Sequence, residues 1–142
     1  MSLRLVRVGP KQVHENTPCR SPKDVARFME KYAERELVEN FWVIALDAQH
    51  RVLRDAPIVI TTGILTSSLV HPREVFRAAI VAGAAAIILA HNHPSGDPSP
   101  SSDDRVVTEQ LVAAGKLLDI PVHDHVVLGR GRYVSMAEAG LI

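Results

Sequence analysis

The sequence predicts a single α/β (α+β) domain in which a mixed sheet is flanked by helices. Three observations carry this. Helical and strand-like apolar periods alternate along the chain. The segment from Ala84 to Ala90 is short and continuously apolar, the pattern of a strand covered on both faces. A chain of 142 residues with 46% hydrophobic and 23% charged side chains suits one closed core rather than several.

Residues 1–20 read as an arm or edge strand, with Leu3, Leu5, Val6 and Val8 in loose alternation up to about Thr17. Ser21-Pro22-Lys23-Asp24 then offers an N-cap, a proline at the first helical position and a carboxylate in the first turn, so the main domain is set at residues 21–142. The helix runs to about Val38, with Val25, Phe28, Met29, Tyr32, Ala33 and Leu37 at helical spacing. Phe41 to Leu46 is rich in strand formers and meets the polar break Asp47-Ala48-Gln49-His50, from which a second strand returns over Arg51 to about Thr62. A second helix opens at Pro72 and closes near Gly83, ahead of the buried strand. Three prolines and a glycine make His91 to Pro100 a stiff loop that cannot continue that strand. A third helix starts at Ser101 or Ser102 and ends near Ala114-Gly115; Val122 to Leu128 and Arg132 to Val134 then pair around Gly129-Arg130-Gly131.

Sixteen Lys+Arg balance sixteen Asp+Glu, so no global field draws the protein to nucleic acid or an anionic membrane. Residues 1–35 hold eight Lys+Arg against four Asp+Glu, an excess that a basic solvated helix face accounts for. Cys19 is the single cysteine, which rules out an internal disulfide framework and an all-Cys metal site and suits a reducing cytoplasm. The longest apolar run, Ala78 to Ala90, is too short to span a bilayer, and Arg4 and Arg7 interrupt any signal-peptide pattern. The expectation is a soluble cytoplasmic protein with no membrane partner.

Side chains two apart on a strand share a face, so His91 and His93 project together from the strand end while Asn92 turns away. They are a ready pair of metal ligands. Asp104, one turn into the helix that follows the stiff loop, is the third. Two imidazoles and one carboxylate would leave a zinc ion with an open position, as catalytic rather than structural sites do. Asp97 and Asp103 are alternative carboxylates, and Ser101-x-x-Asp104 also reads as a capping-box variant.

His91-x-His93-Pro94, six residues and then Ser101-x-x-Asp104 resembles the signature of the JAMM (JAB/MPN) metalloprotease family. His91-Asn92-His93-Pro94-Ser95-Gly96-Asp97-Pro98, His71-Pro72-Arg73-Glu74 upstream and Asp124-His125 downstream resemble its RadC branch, over roughly Val38 to the C-terminus. The resemblance implies a JAB/MPN-type fold related to cytidine deaminases. It also implies one Zn²⁺ per chain, held by His91, His93, Asp104 and a water, and cleavage of a peptide, isopeptide or related amide bond. It places the general acid/base on an early strand, where Glu39 matches. Glu36 and Glu74 compete for that place, the first as a solvated helix-end charge and the second as a first-turn carboxylate facing a helix dipole. Ser101 matches the serine that hydrogen-bonds the tetrahedral intermediate, a role compatible with N-capping because its hydroxyl hydrogen stays free to donate.

His123-x-His125 is a second such pair but lacks a nameable third ligand, and Asp124 could orient a neighbour by hydrogen bonding. One cysteine cannot supply the Pro-Cys-x-x-Cys of zinc deaminases, and no His-Glu-x-x-His is present. Two further readings stand beside the hydrolase: a DNA-repair-associated accessory protein, and a non-catalytic zinc-binding scaffold. The charge count gives DNA little support, and the helix-hairpin-helix segment found in longer RadC-type proteins has no room in this chain.

Overall fold

The structure is a computed structural model describing residues 17–33, 36–63, 66 and 68–142. The arm expected before Thr17 lies outside those residues. The first described pairing is an isolated bridge from Pro18 to Arg51.

The elements run α1 (Pro22–Ala33), β1 (Asn40–Leu46), β2 (Ile58–Thr62), α2 (Pro72–Val81), β3 (Ala86–Asn92), α3 (Ser102–Leu118), β4 (Val122–Leu128) and β5 (Tyr133–Ser135). The strands form one open, mixed sheet in the order β2-β1-β3-β4-β5. Only β3 and β4 are parallel, as strands joined by a crossing helix must be; the other neighbours are antiparallel. β1 and β3 are buried along their whole length because helices cover both faces. On one face α1 lays Val25, Phe28 and Met29 on Trp42, Ile44, Ile88 and Val126. On the other, Val75, Phe76 and Ala79 of α2 and Val107 and Leu111 of α3 close over Phe41, Val43, Ile87 and Leu89. Each fully buried aliphatic or phenyl side chain contributes about 1.5–3 kcal/mol, so these two layers stabilise the strand ends where the site is built.

Several boundaries differ from expectation for identifiable reasons. α1 ends at Ala33 and Glu36–Val38 is not helical, because Val38 and Glu39 give their carbonyls to the Asn92 side chain and the Gly63 amide and so enter the sheet. The returning strand is split. Arg51 and Val52 make only isolated bridges, and pairing resumes at Ile58, after Pro57, which has no N–H to offer a ladder. β3 runs two residues past Ala90, since His91 and Asn92 still pair with Val127 and Leu128. α3 continues beyond Gly115 to a left-handed C-cap at Asp119. Gly115 is a close-approach residue rather than a terminator: a Cβ there would sit 2.6 Å from the Ile120 carbonyl oxygen.

Candidate metal centre

Four side chains meet where β1 begins, β3 ends and α3 starts. Glu39 immediately precedes β1, His91 lies in β3, His93 is one residue past it, and Asp104 stands in the first turn of α3. One ligand atom from each lies within 4.8 Å of all the others. His91 Nε2 is 3.0 Å from His93 Nε2, 3.1 Å from Asp104 Oδ1 and 3.8 Å from Glu39 Oε2. His93 Nε2 is 3.3 Å from Asp104 Oδ2. Two imidazoles and two carboxylates so placed could hold a metal ion, and the mixed nitrogen and oxygen donors suit a divalent transition ion. His91 and Asp104 are buried, whereas the His93 and Glu39 side chains are 16% and 15% exposed, so any reactant must arrive on their side.

Local sequence explains each placement. The β1–β3 register sets Phe41 opposite His91, and Glu39 shares the parity of Phe41, so its side chain faces the same layer. Asn92, on the opposite face, brackets Glu39: its Oδ1 accepts from the Asn40 amide at 2.7 Å and its Nδ2 donates to the Val38 carbonyl at 3.0 Å. Ser101 is the N-cap of α3, and its Oγ accepts from the Asp104 amide at 3.0 Å while Asp104 Oδ2 accepts from the Ser101 amide at 2.7 Å. This capping box turns Asp104 toward the histidines. Replacing Ser101 by Ala is expected to cost about 1 kcal/mol, read as a lower urea midpoint, because one of the two cap bonds is lost.

The stiff loop after His93 is clamped to the β4–β5 turn. The His93 amide donates to the Leu128 carbonyl at 2.8 Å. The Gly96 carbonyl accepts from the Arg130 amide at 3.2 Å and from Arg132 Nη2 at 2.9 Å. Gly129 permits the approach, since a Cβ there would lie 2.3 Å from the Gly96 oxygen and 2.9 Å from Pro98 Cδ. Gly129→Ala is therefore expected to destabilise the protein by ~1–3 kcal/mol, measured by chemical denaturation, with weaker metal retention as the His93 loop is pushed away.

Hydrogen-bond bookkeeping sets the tautomers. The Thr108 hydroxyl donates to the Asp104 carbonyl at 2.7 Å, which spends its single hydrogen. His125 Nδ1, 2.5 Å from that oxygen, must therefore donate to it. Its Nε2 is left to accept from His91 Nδ1 at 2.7 Å, so His91 Nε2 turns a lone pair into the cluster. Burial holds His125 well below the ordinary histidine range, in keeping with the neutral ring this chain requires. His93 Nδ1 donates to the Asp97 carbonyl at 2.8 Å, again directing Nε2 inward. Burial pushes the Asp104 carboxyl up, but the two imidazoles and the Ser101 amide more than reverse this and hold it well below the carboxylate range.

The hydrogen bond to Asp104 raises His93 above its ordinary 6.5, against the opposing effect of burial. In the metal-free protein this pair stabilises the fold fully below the unfolded histidine pKa, and the contribution is lost as pH rises through the folded value. An ion must displace the His93 proton. Apparent metal affinity is expected to fall by up to about tenfold per pH unit below the folded pKa, with proton release on loading. Calorimetry in buffers of different ionisation enthalpy checks this; a heat independent of buffer would contradict it.

Other candidates lie elsewhere. Glu36 is outside the cluster, and Glu74 is half-exposed on α2 with Arg73 and Arg77 at 3.9 and 3.7 Å. Asp97 accepts from the Ser99 amide and hydroxyl, and Asp103 is exposed. His71 caps α2 without a side-chain bond. The second His-x-His does not form a pair. A register irregularity at the start of β4 separates His123, whose ring packs on His50 at 4.4 Å, from the buried His125. Asp124 accepts from the His125 and Ala137 amides and the Ser135 hydroxyl, tying β4 to β5 and the C-terminal turn. Residue reading alone missed the role of His125, although the Asp124-His125 pattern had pointed at the position.

A UPF0758 protein of Methanosarcina barkeri and another of Methanosarcina mazei are each 46% identical over 122 residues, covering 86% of this chain and 52% of theirs. A UPF0758 protein of Symbiobacterium thermophilum is 49% identical over 122 residues, covering 86% of this chain and 51% of its own. The chain thus spans about half the length of these curated relatives. The RadC-like JAB domain family matches residues 19–141, a span that contains all four clustered side chains, and the chain belongs to that family.

Proposed function

We propose that this protein is a zinc-dependent hydrolase of a peptide, isopeptide or related amide bond, with His91, His93 and Asp104 as the ligands of one zinc ion per chain. The observation that carries the reading is the spacing of the donor atoms. A tetrahedral zinc with bonds of ~2.0–2.1 Å places its donors about 3.3 Å apart. His91 Nε2 stands 3.0 Å from His93 Nε2 and 3.1 Å from Asp104 Oδ1, and His93 Nε2 3.3 Å from Asp104 Oδ2, while Glu39 Oε2, at 3.8 Å from His91 Nε2, is set back. That pattern favours three ligands and a fourth carboxylate reserved for chemistry.

When bound, zinc supplies Lewis acidity toward the amide carbonyl and lowers the pKa of water at the open position. Glu39, mostly buried and flanked by the Asn92 bonds to the backbone, takes the proton from the attacking water and returns it to the leaving nitrogen. The Ser101 hydroxyl, whose hydrogen has no acceptor among the described residues, donates to the oxyanion as charge develops. His125 and Thr108 keep the His91 lone pair directed inward throughout. A cytoplasmic setting fits the buried Cys19, whose thiol is pushed up to about 12 by burial and by Asp24 and so stays protonated. No helix among the described residues is long and apolar enough to cross a membrane.

The test is to assay peptide and isopeptide mixtures with the zinc-loaded protein, scoring new free amines, with a chelated control. Chelator-sensitive cleavage is expected. Zinc bound at one per chain with no cleavage of any amide would favour the scaffold reading, and salt-sensitive duplex binding without cleavage the DNA-associated one.

A further inference from the structure

A groove on the α1 face of the sheet begins at the exposed His93, the one clustered side chain in its wall. Its first part, about 430 Å³, runs from Asn92 and His93 between the end of α1 and the Gly129-Arg130-Gly131 turn. Its second part, about 310 Å³, continues between α1 and the β4–β5 strands. The two share Ala33, Leu128, Gly129 and Gly131 in their walls and so form one channel. Lys23 and Arg27 on α1 and Arg132 on the hairpin line the far part, against Glu30 alone; Arg130 and Glu36 both line the near part. Lys23, Arg27 and Arg130 have no ion pair among the described residues, and Arg132 spends one nitrogen on the Gly96 carbonyl.

We propose that this groove receives one side of the substrate, and that the side it selects is an extended peptide bearing carboxylates about three to five residues beyond the point where it passes Ala33. The distance follows from helix and strand geometry. Arg27 and Lys23 lie ~9 and ~15 Å back along α1 from Ala33 at 1.5 Å per residue, and an extended peptide covers that span at about 3.3 Å per residue. Lys23 and Arg27, four apart on one helix face, are about 6 Å apart at their Cβ atoms, the spacing of alternate side chains on a strand. Two acidic residues separated by one neutral residue therefore match both cations. The glutamates decide between polyanions. Glu30 and Glu36 interrupt the basic wall and oppose a continuous phosphate backbone, whereas separated carboxylates fit between them. Gly131, where a Cβ would meet nothing within 4 Å, leaves room for a peptide main chain.

The substrate class rests on the hydrolase reading, but binding is measured apart from turnover. Fluorescein-labelled alternating Gly-Glu and Gly-Lys peptides, and an oligothymidylate of equal charge, are titrated into the full chain near physiological salt and followed by anisotropy. The Gly-Glu peptide is expected to bind roughly tenfold tighter than the Gly-Lys peptide, and the Lys23→Glu/Arg27→Glu variant to reverse that order. Both residues are exposed, and the i,i+4 pair of glutamates costs only about 0.2–0.5 kcal/mol, so the variant is expected to fold, as circular dichroism checks. An acidic preference that survives the reversal overturns the proposal, as does tighter binding of the oligothymidylate. Acid-selective binding without cleavage of any amide supports the groove and sinks the hydrolase reading. Cleavage indifferent to acidic residues does the opposite.

Discussion

His91→Ala is expected to abolish stoichiometric metal binding, seen as a fall from one zinc per chain to none after dialysis. The loss should far exceed the ~10–100-fold that removal of a hydrogen-bonding neighbour of a ligand costs, because a donor itself is gone. The ring also accounts for structure. It is fully buried, bonded to His125 and tilted against Phe41 at 6.2 Å, so truncation leaves a cavity and an orphaned imidazole and should cost about 3–5 kcal/mol. Asp104→Asn separates the two effects. It keeps volume and an oxygen for the Ser101 amide but removes the charge facing both histidines. A folded Asp104→Asn protein that still holds a full equivalent of zinc would refute the ligand assignment.

Glu39→Gln is expected to leave zinc stoichiometry intact while lowering kcat by ~10²–10⁴-fold, the usual worth of a positioned general acid/base. The substitution preserves shape, and the Asn92 bonds on either side are to backbone, so the geometry around position 39 persists. Cleavage assays paired with metal analysis of the same preparation decide the matter. Full activity in the Gln variant would eliminate Glu39 as the proton carrier, and loss of metal with activity would make it a ligand instead.

Legibility from sequence depended on range. The strand-end histidines, the stiff loop and the Ser101-to-Asp104 helix start are local patterns, so the cluster of His91, His93 and Asp104 was readable as a constellation before any coordinates. The sheet with helices on both faces followed from alternating periods. Boundaries failed where a distant partner intervened: Asn92 draws Val38 out of the helix from 54 positions away, and Pro57 splits a strand that β-propensity would continue. Gly115 read as a helix stop because the close pass of Ile120 has no local sign. His125 could not be assigned a role, since it acts through Thr108, 17 positions before it, and His91, 34 positions before it.

The capping box at the start of α3 has a consequence for coordination number. Asp104 Oδ2 already holds the Ser101 amide hydrogen, which leaves Oδ1, 3.1 Å from His91 Nε2, as the oxygen disposed to bind alone. A carboxylate anchored in this way would resist chelating an ion through both oxygens and so would leave a position open for a reactant. Fraying of the first helical turn would release that restraint and withdraw a donor in the same motion, making the opening of a few backbone bonds and the escape of the ion one event.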